Sequence, residues 1–152
     1  MPKASKENVL EWRRGSVFTR LERPTNIGKA RALGYKAKPG FVIVRIKIGR
    51  GGRTRTRPRS ARKTAKQTIR KTLMMNYRWV AEQRVGRRFR PLEVLNSYLL
   101  GKDGINSFYE IILVDPNSPQ IRSDPQINWI CRPENRGRVF RGLTGAARKS
   151  TG

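Results

Sequence analysis

The segment Gly49–Arg59, GRGGRTRTRPR, carries the densest run of functional groups in the chain. Its glycines let the backbone approach a phosphate closely. Arg50, Arg53, Arg55, Arg57 and Arg59 recur at every second or third position, a spacing that can follow a strand of phosphates. Arg-Gly segments of this kind bind RNA and order on contact. The plainer alternative is a linker whose charges serve only solubility. The pattern is specific for a polyanion and says little about which one.

Residues that would indicate catalysis are scarce. There are 0 histidines, so the commonest acid–base group at neutral pH and the usual nitrogen ligand of zinc are both missing. Cys131 stands alone, which excludes an intrachain disulfide and a cysteine zinc site and suits a reducing compartment. Glu93, Asp103, Glu110, Asp115 and Asp124 could supply a metal-dependent nuclease, but no pair has recognisable motif spacing. Glu93 and Glu110 are expected to pair with neighbouring arginines or to face solvent. The run Gly145-Ala-Ala-Arg-Lys-Ser150 matches a nucleotide-hydrolase phosphate loop only at its last two residues, because Arg148 occupies the place of the second glycine. The expectation is a protein that is not an enzyme and takes no cofactor, metal or small-molecule substrate.

The charge balance points to a partner. Lys and Arg number 35 against 10 Asp and Glu, a formal net charge of +25. Like charge of that density on a compact surface repels itself unless a polyanion or counterions neutralise it, and nucleic acid releases counterions as cations replace them. Arginine, which grips phosphate with a planar fork and stacks on bases, is the more frequent of the two cations. Between Glu22 and Glu82 no acidic residue occurs, whereas Pro91 to Glu134 is nearly neutral and more apolar, and the segment beyond Glu134 is purely basic. This reads as one folded body with a basic N-terminal segment (1–40), an arginine-glycine segment (49–68) and a basic C-terminal tail (135–152). These would be disordered when free and ordered on RNA. The runner-up from another class is an architectural chromatin protein on duplex DNA, although no groove-reading helix module is evident. No apolar run approaches the roughly 20 residues of a membrane span, and residues 1–8 lack the apolar stretch of a signal peptide.

The elements that must position these groups suggest an α+β fold: a small antiparallel sheet with a strand–helix–strand–strand core. Phe41 to Ile48 alternates, with Val42, Val44, Ile46 and Ile48 facing a core and Arg45 and Lys47 on the other face with Phe41 and Ile43. Ile69, Leu73, Tyr77 and Val80 form the apolar stripe of a helix over 69–85, with Gly86 as its C-terminal cap and Arg84, Arg87 and Arg88 at the negative end of its dipole. Upstream the stripe fails, so Ser60 to Thr68 is expected to project from the core. Leu92 to Leu99 and Phe108 to Val114 form a hairpin around Asp103-Gly104. Ser118 could cap a short helical turn, and Gln126 to Cys131 could be a short strand. Of the aromatics among the basic positions, Trp12, Phe18, Tyr35, Tyr77 and Phe89 are expected in the core. Trp79, off the apolar stripe, and Phe140, inside RGRVFRG, are the candidates to stack on bases.

Several stretches are together recognisable: Lys29-Ala-Arg, Leu33-Gly-Tyr-Lys-Ala-Lys-Pro-Gly40, the Val42–Arg57 strand and arginine-glycine turn, and Val94-Leu-Asn-Ser-Tyr98. Further along come Tyr109-Glu-Ile-Ile-Leu-Val-Asp-Pro116, Asn128-Trp-Ile, Arg141-Gly-Leu-Thr144 and Arg148-Lys-Ser150. In consistent order along nearly the whole chain, they closely resemble the archaeal and eukaryotic type of large-subunit ribosomal protein fifteen. The resemblance implies a small α+β domain with basic extensions threaded through ribosomal RNA, in the cytoplasmic ribosome and beside neighbouring large-subunit proteins. The function it implies is to fold and hold that RNA. Carried over by position, the RNA-facing groups are Arg23, Lys29, Arg31, Lys36 and Lys38, then Arg45, Lys47, Arg50, Arg53, Arg55, Arg57 and Arg59. Continuing along the chain they are Arg62, Lys63, Lys66, Arg70 and Lys71, then Arg84, Arg87 and Arg88, and finally Arg136, Arg138, Arg141, Arg148 and Lys149. The family usually continues into a longer basic tail after the Arg-Lys-Ser motif and has a longer N-terminal section, so contacts made by those ends are not expected of this chain.

Overall fold

The computed structural model describes residues 6–52, 56, 60 and 73–151, with the side chains of residues 6, 7 and 151 left aside. Its elements in chain order are α1 (Lys6–Arg14), β1 (Phe18–Leu21), α2 (Ile27–Ala32), β2 (Phe41–Gly49), α3 (Tyr77–Arg88), β3 (Glu93–Lys102), β4 (Asn106–Val114), α4 (Pro119–Arg122) and α5 (Gly145–Thr151). The strands form a four-stranded sheet in the order β1-β2-β4-β3, antiparallel throughout.

The alternation in β2 works on both faces. Val44, Ile46 and Ile48 are fully buried against Tyr109, Ile111 and Leu113 of β4 and against Ala81 and Val85 of α3. On the opposite face Ile43 packs with Ala30, Tyr35, Tyr98 and Ile112. A third cluster of Val114, Ile121, Ile127 and Ile130 extends that face. Each fully buried aliphatic side chain contributes about 1.5–3 kcal/mol relative to exposure. The hairpin turns as expected at Asp103, whose carboxylate accepts from the backbone N–H groups of Ile105 and Asn106 and so closes the turn.

The structure corrects three expectations. The helix begins at Tyr77, not Ile69: Leu73–Met75 are not helical, Met74 has a φ of 57°, and the Asn76 carboxamide caps the helix by accepting from Trp79 N–H at 2.8 Å. The residues from 61 to 72, and with them the projecting segment, lie outside the described residues. Gly86 is no cap. It lies inside α3, which runs to Arg88, and a Cβ there would come within 3.1 Å of Val139 Cγ1. The glycine therefore admits the close approach of the C-terminal segment.

The third correction is Gln126–Cys131, which forms a 3-10 turn over Asn128–Cys131 instead of a strand. Ile127 and Ile130, three apart, both point inward, the spacing of a 3-10 turn and not of a strand. The described parts of both basic ends pack on the sheet. Trp12 of α1 packs edge-on against Phe108, β1 pairs with β2, and Val139, Ala146 and Ala147 are buried.

Candidate nucleic-acid interface

Two kinds of arginine emerge where α3, β3 and the C-terminal segment meet. The first kind is internal. Arg138, expected to face RNA, is 8% exposed: one terminal nitrogen donates to the carbonyls of Val94 at 2.6 Å and Leu95 at 3.0 Å, the other to Leu143 O at 3.2 Å. Its guanidinium lies 5.1 Å from the centre of the Trp129 ring. Burial pushes its pKa down, opposed by the charges of Glu82 and Glu93. Nearby, Arg78 donates to Ser97 Oγ at 2.8 Å and Asn96 Oδ1 at 2.7 Å.

Glu82, fully buried, accepts from the hydroxyls of Ser97 and of Thr144, the latter at 2.6 Å. Burial pushes its carboxyl above the ordinary range, only partly offset by those hydroxyls and by Arg78 and Arg138. Trp79, expected to stack on bases, instead packs on the core and donates its indole N–H to Val139 O at 2.8 Å. This polar seam fastens residues 138–147 to the sheet.

The second kind is open. Arg87 and Arg88 at the end of α3, Arg90 after it, and Arg136 on the facing segment are all exposed. With Gly86, Glu93 and Phe140, the residues Arg87, Arg90 and Arg136 line a groove of about 340 Å³. Phe140 is 44% exposed, in keeping with its expected accessibility, and Arg87 stands over its ring at 5.8 Å. A second concavity of about 370 Å³ shares Arg90, Glu93 and Arg136 and continues past Arg122 and Arg132. Arg122 and Arg132 read in the sequence as isolated cations in a near-neutral stretch, and Arg90 closes the segment Arg84–Arg90 that the family resemblance implies to be RNA-facing. Only the fold brings all three beside Arg136.

The remaining sequence-derived positions divide in the same way. Lys36 and Lys38 both hold the Asp124 carboxylate, at 2.7 and 2.6 Å, and these two ammonium groups keep its carboxyl well below the usual range. Arg45 lies over the Trp12 ring at 5.2 Å, and Lys47 donates to the carbonyls of Arg13 at 3.0 Å and Gly15 at 2.7 Å, so both tie α1 to the sheet. Arg50 donates to Asp103 O, and Arg141 to Glu134 O and to Arg136 O, the latter at 3.0 Å. Arg23, Arg31, Arg148 and Lys149 are exposed, and Lys29 and Arg84 are half-buried. Arg53, Arg55, Arg57, Arg59, Arg62, Lys63, Lys66, Arg70 and Lys71 lie outside the described residues.

The carboxylates do not converge. Glu110, expected to meet an arginine or solvent, is fully buried and accepts from Thr25 N–H and from the hydroxyls of Thr25 and Tyr98. Burial first, then Glu110 itself, push the Tyr98 phenol up, so it remains a neutral donor. Glu93 likewise accepts from Gly137 N–H, at 3.0 and 3.1 Å, instead of pairing with an arginine. Asp115 accepts from Asn117 N–H at 2.9 Å. Among the described residues no group of three His, Cys, Asp or Glu could hold a metal ion, and no helix is long and apolar enough to cross a membrane.

The fold is thus a small α+β body with an excess of outward cations. The chain belongs to the ribosomal L15 family of the L15e type, whose family model matches residues 1–152. It is also 45% identical over 148 residues to the large ribosomal subunit protein eL15 of Metallosphaera sedula, an alignment covering 97% of this chain and 68% of that protein. That family is one of ribosomal structural proteins and not of enzymes.

Proposed function

We propose that this protein is a structural constituent of the large ribosomal subunit that binds and stabilises its ribosomal RNA, supporting subunit assembly and translation in the cytoplasm. The observation that carries this reading is the surplus of cations left after folding. The chain has a net charge of +25, and among the described residues only Arg13–Asp103, Lys36–Asp124 and Lys38–Asp124 form ion pairs. Family membership and the eL15 relative support ribosomal RNA as the matching polyanion. Phosphate contacts supply most of the affinity, and the shape of folded RNA, more than its base sequence, supplies the specificity. Neighbouring large-subunit proteins are the other partners.

With about 8 phosphates neutralised, log affinity for ribosomal RNA falls against log salt with a slope steeper than about −5. Filter binding across a salt series measures it, and a nearly flat line refutes the reading. Duplex DNA competing as well as structured RNA would favour a chromatin role instead. Sedimentation of the native protein with the large subunit through a moderate salt wash is the corresponding test in a lysate.

A further inference from the structure

We propose that the groove between the end of α3 and residues 136–140 is a site for one unpaired RNA nucleotide, its base on the Phe140 ring and its phosphate on Arg87, Arg90 and Arg136. This deepens the RNA-binding reading and rests on it.

Four observations converge there. Phe140 is a large aromatic side chain left 44% exposed, and its back is held by the helix: a Cβ at Gly86 would lie 3.5 Å from Phe140 Cζ. The glycine thus lets the tip of the ring sit close to the helix backbone, with Arg87 standing over the ring. Bases splayed from RNA stack on such rings. Second, the three arginines are exposed and, among the described residues, no carboxylate or carbonyl accepts a hydrogen bond from their guanidinium groups; Arg87 only overlies the Phe140 ring at 5.8 Å. Arg138, two residues from Arg136, has three carbonyl acceptors by contrast.

Third, the acid of the groove is already held. Glu93 is 8% exposed and accepts from Gly137 N–H through both oxygens. Its charge on the floor repels a phosphate, so the phosphate belongs at the arginine rim and the uncharged base inside. Fourth, the volume of about 340 Å³ lies in the lower range of small-ligand sites, which suits a single nucleotide and not a paired stack. The adjoining concavity then offers Arg132 to the next phosphate along the strand, whereas Arg122 beside it is held by Pro116 O at 3.1 Å and Asn117 Oδ1 at 3.2 Å. A base within a helix cannot present its face to a ring, so the ligand is a bulge, a loop or a single-stranded junction.

The test uses the full chain with purified large-subunit ribosomal RNA, ultraviolet crosslinking with mass-spectrometric mapping, and binding isotherms for Phe140→Leu, the double variant Arg90→Gln/Arg136→Gln, and a charge control, Arg20→Gln. The expected result is a crosslink from Phe140 to a nucleotide unpaired in the RNA. Phe140→Leu should lose it and weaken binding about ten-fold at an unchanged salt slope, since the ring carries no charge. The double variant should weaken binding with a shallower slope, and by more than twice the effect of Arg20→Gln. Wild-type binding without a Phe140 crosslink, or Phe140→Leu binding within about two-fold of wild type, overturns the site and leaves the RNA reading intact. A Phe140 crosslink to another ribosomal protein in isolated subunits overturns it in favour of a protein partner. Failure of the wild type to bind ribosomal RNA at all removes the broader reading, and this site with it.

Discussion

Arg136 and Arg138 stand two residues apart in one basic run, yet the fold treats them oppositely. Arg136 is exposed at the rim of a groove, while Arg138 is enclosed and donates to three backbone carbonyls. Helix α3 repeats the division, with Arg78 engaged by Asn96 and Ser97 and Arg87 open at the other end. Composition ranks these four alike. What separates them is the supply of acceptors: the carbonyls of β3 at Val94 and Leu95 need donors once the C-terminal segment covers them. An arginine that answers such a need belongs to the fold, and only the others are free to meet phosphate.

The largest effect should come from breaking the internal set. Arg138→Leu keeps apolar bulk but strips donors from the carbonyls of Val94, Leu95 and Leu143 and removes the cation beside Glu82 and Glu93. Stability in urea should fall by about 3 kcal/mol, since each buried polar group left unsatisfied costs roughly 1–3 kcal/mol. Arg136→Leu should stay within about 0.5 kcal/mol of wild type, as surface changes do. Equal losses in the two variants would erase the distinction.

That distinction marks where the sequence stops being legible. The alternation of β2 and the Asp103 hairpin could be read directly, because β-branched periodicity and turn chemistry are local signals. The 1–40 segment could not: β1 is four residues long and α2 six, too short for periodicity and held by pairing to β2 and by burial of Ala30. The Asn26 cap, accepting from Lys29 N–H at 3.0 Å, was the one local clue. Gly86 looked like a stop signal because a glycine after an apolar stripe usually is one. Its actual reason, the approach of Val139 from far along the chain, is tertiary. The buried glutamates were misjudged for the same reason, since their donors come from Thr25, Gly137 and Thr144. At the candidate site, Phe140 and Arg136 stood out in the sequence, whereas Arg90, Arg122 and Arg132 needed the fold to become neighbours.

A smaller effect should reveal the charge state inside the seam. The Glu82 carboxyl lies above its ordinary value of 4.5 because burial disfavours the ion. As pH rises from about 4.5 towards the raised value, the unfolded chain gives up a proton that the folded chain still holds. Stability therefore falls through that window and is constant above it. Glu82→Gln cannot ionise, so its stability relative to wild type should rise across the same window. Asp103 and Asp124, whose carboxyls are held low, act in the opposite sense below their ordinary value, but they do so in both proteins and cancel in the difference. Thermal melts of the pair from pH 4 to 8 measure it. A difference that falls with pH would mean that Arg78 and Arg138 overcome the burial of the ion.

The finest test concerns the cations between the two extremes. Lys36 and Lys38 are accessible, with side chains 40% and 25% exposed, but share one carboxylate. RNA reaching them must compete with Asp124, which stays ionised well below neutral pH. Asp124→Asn removes the charge both ammonium groups share while keeping the shape of the side chain, although Lys38 still donates to Gln120 O at 2.9 Å. Exposed ion pairs contribute little to stability, so the melting temperature should move by no more than about 2 °C. The salt dependence of RNA binding should steepen by about one charge, because a lysine formerly neutralised within the protein can now displace a counterion from phosphate. An unchanged slope would place Lys36 and Lys38 with Arg138, as groups the fold keeps for itself, and would confine the interface to cations that have no acceptor in the protein.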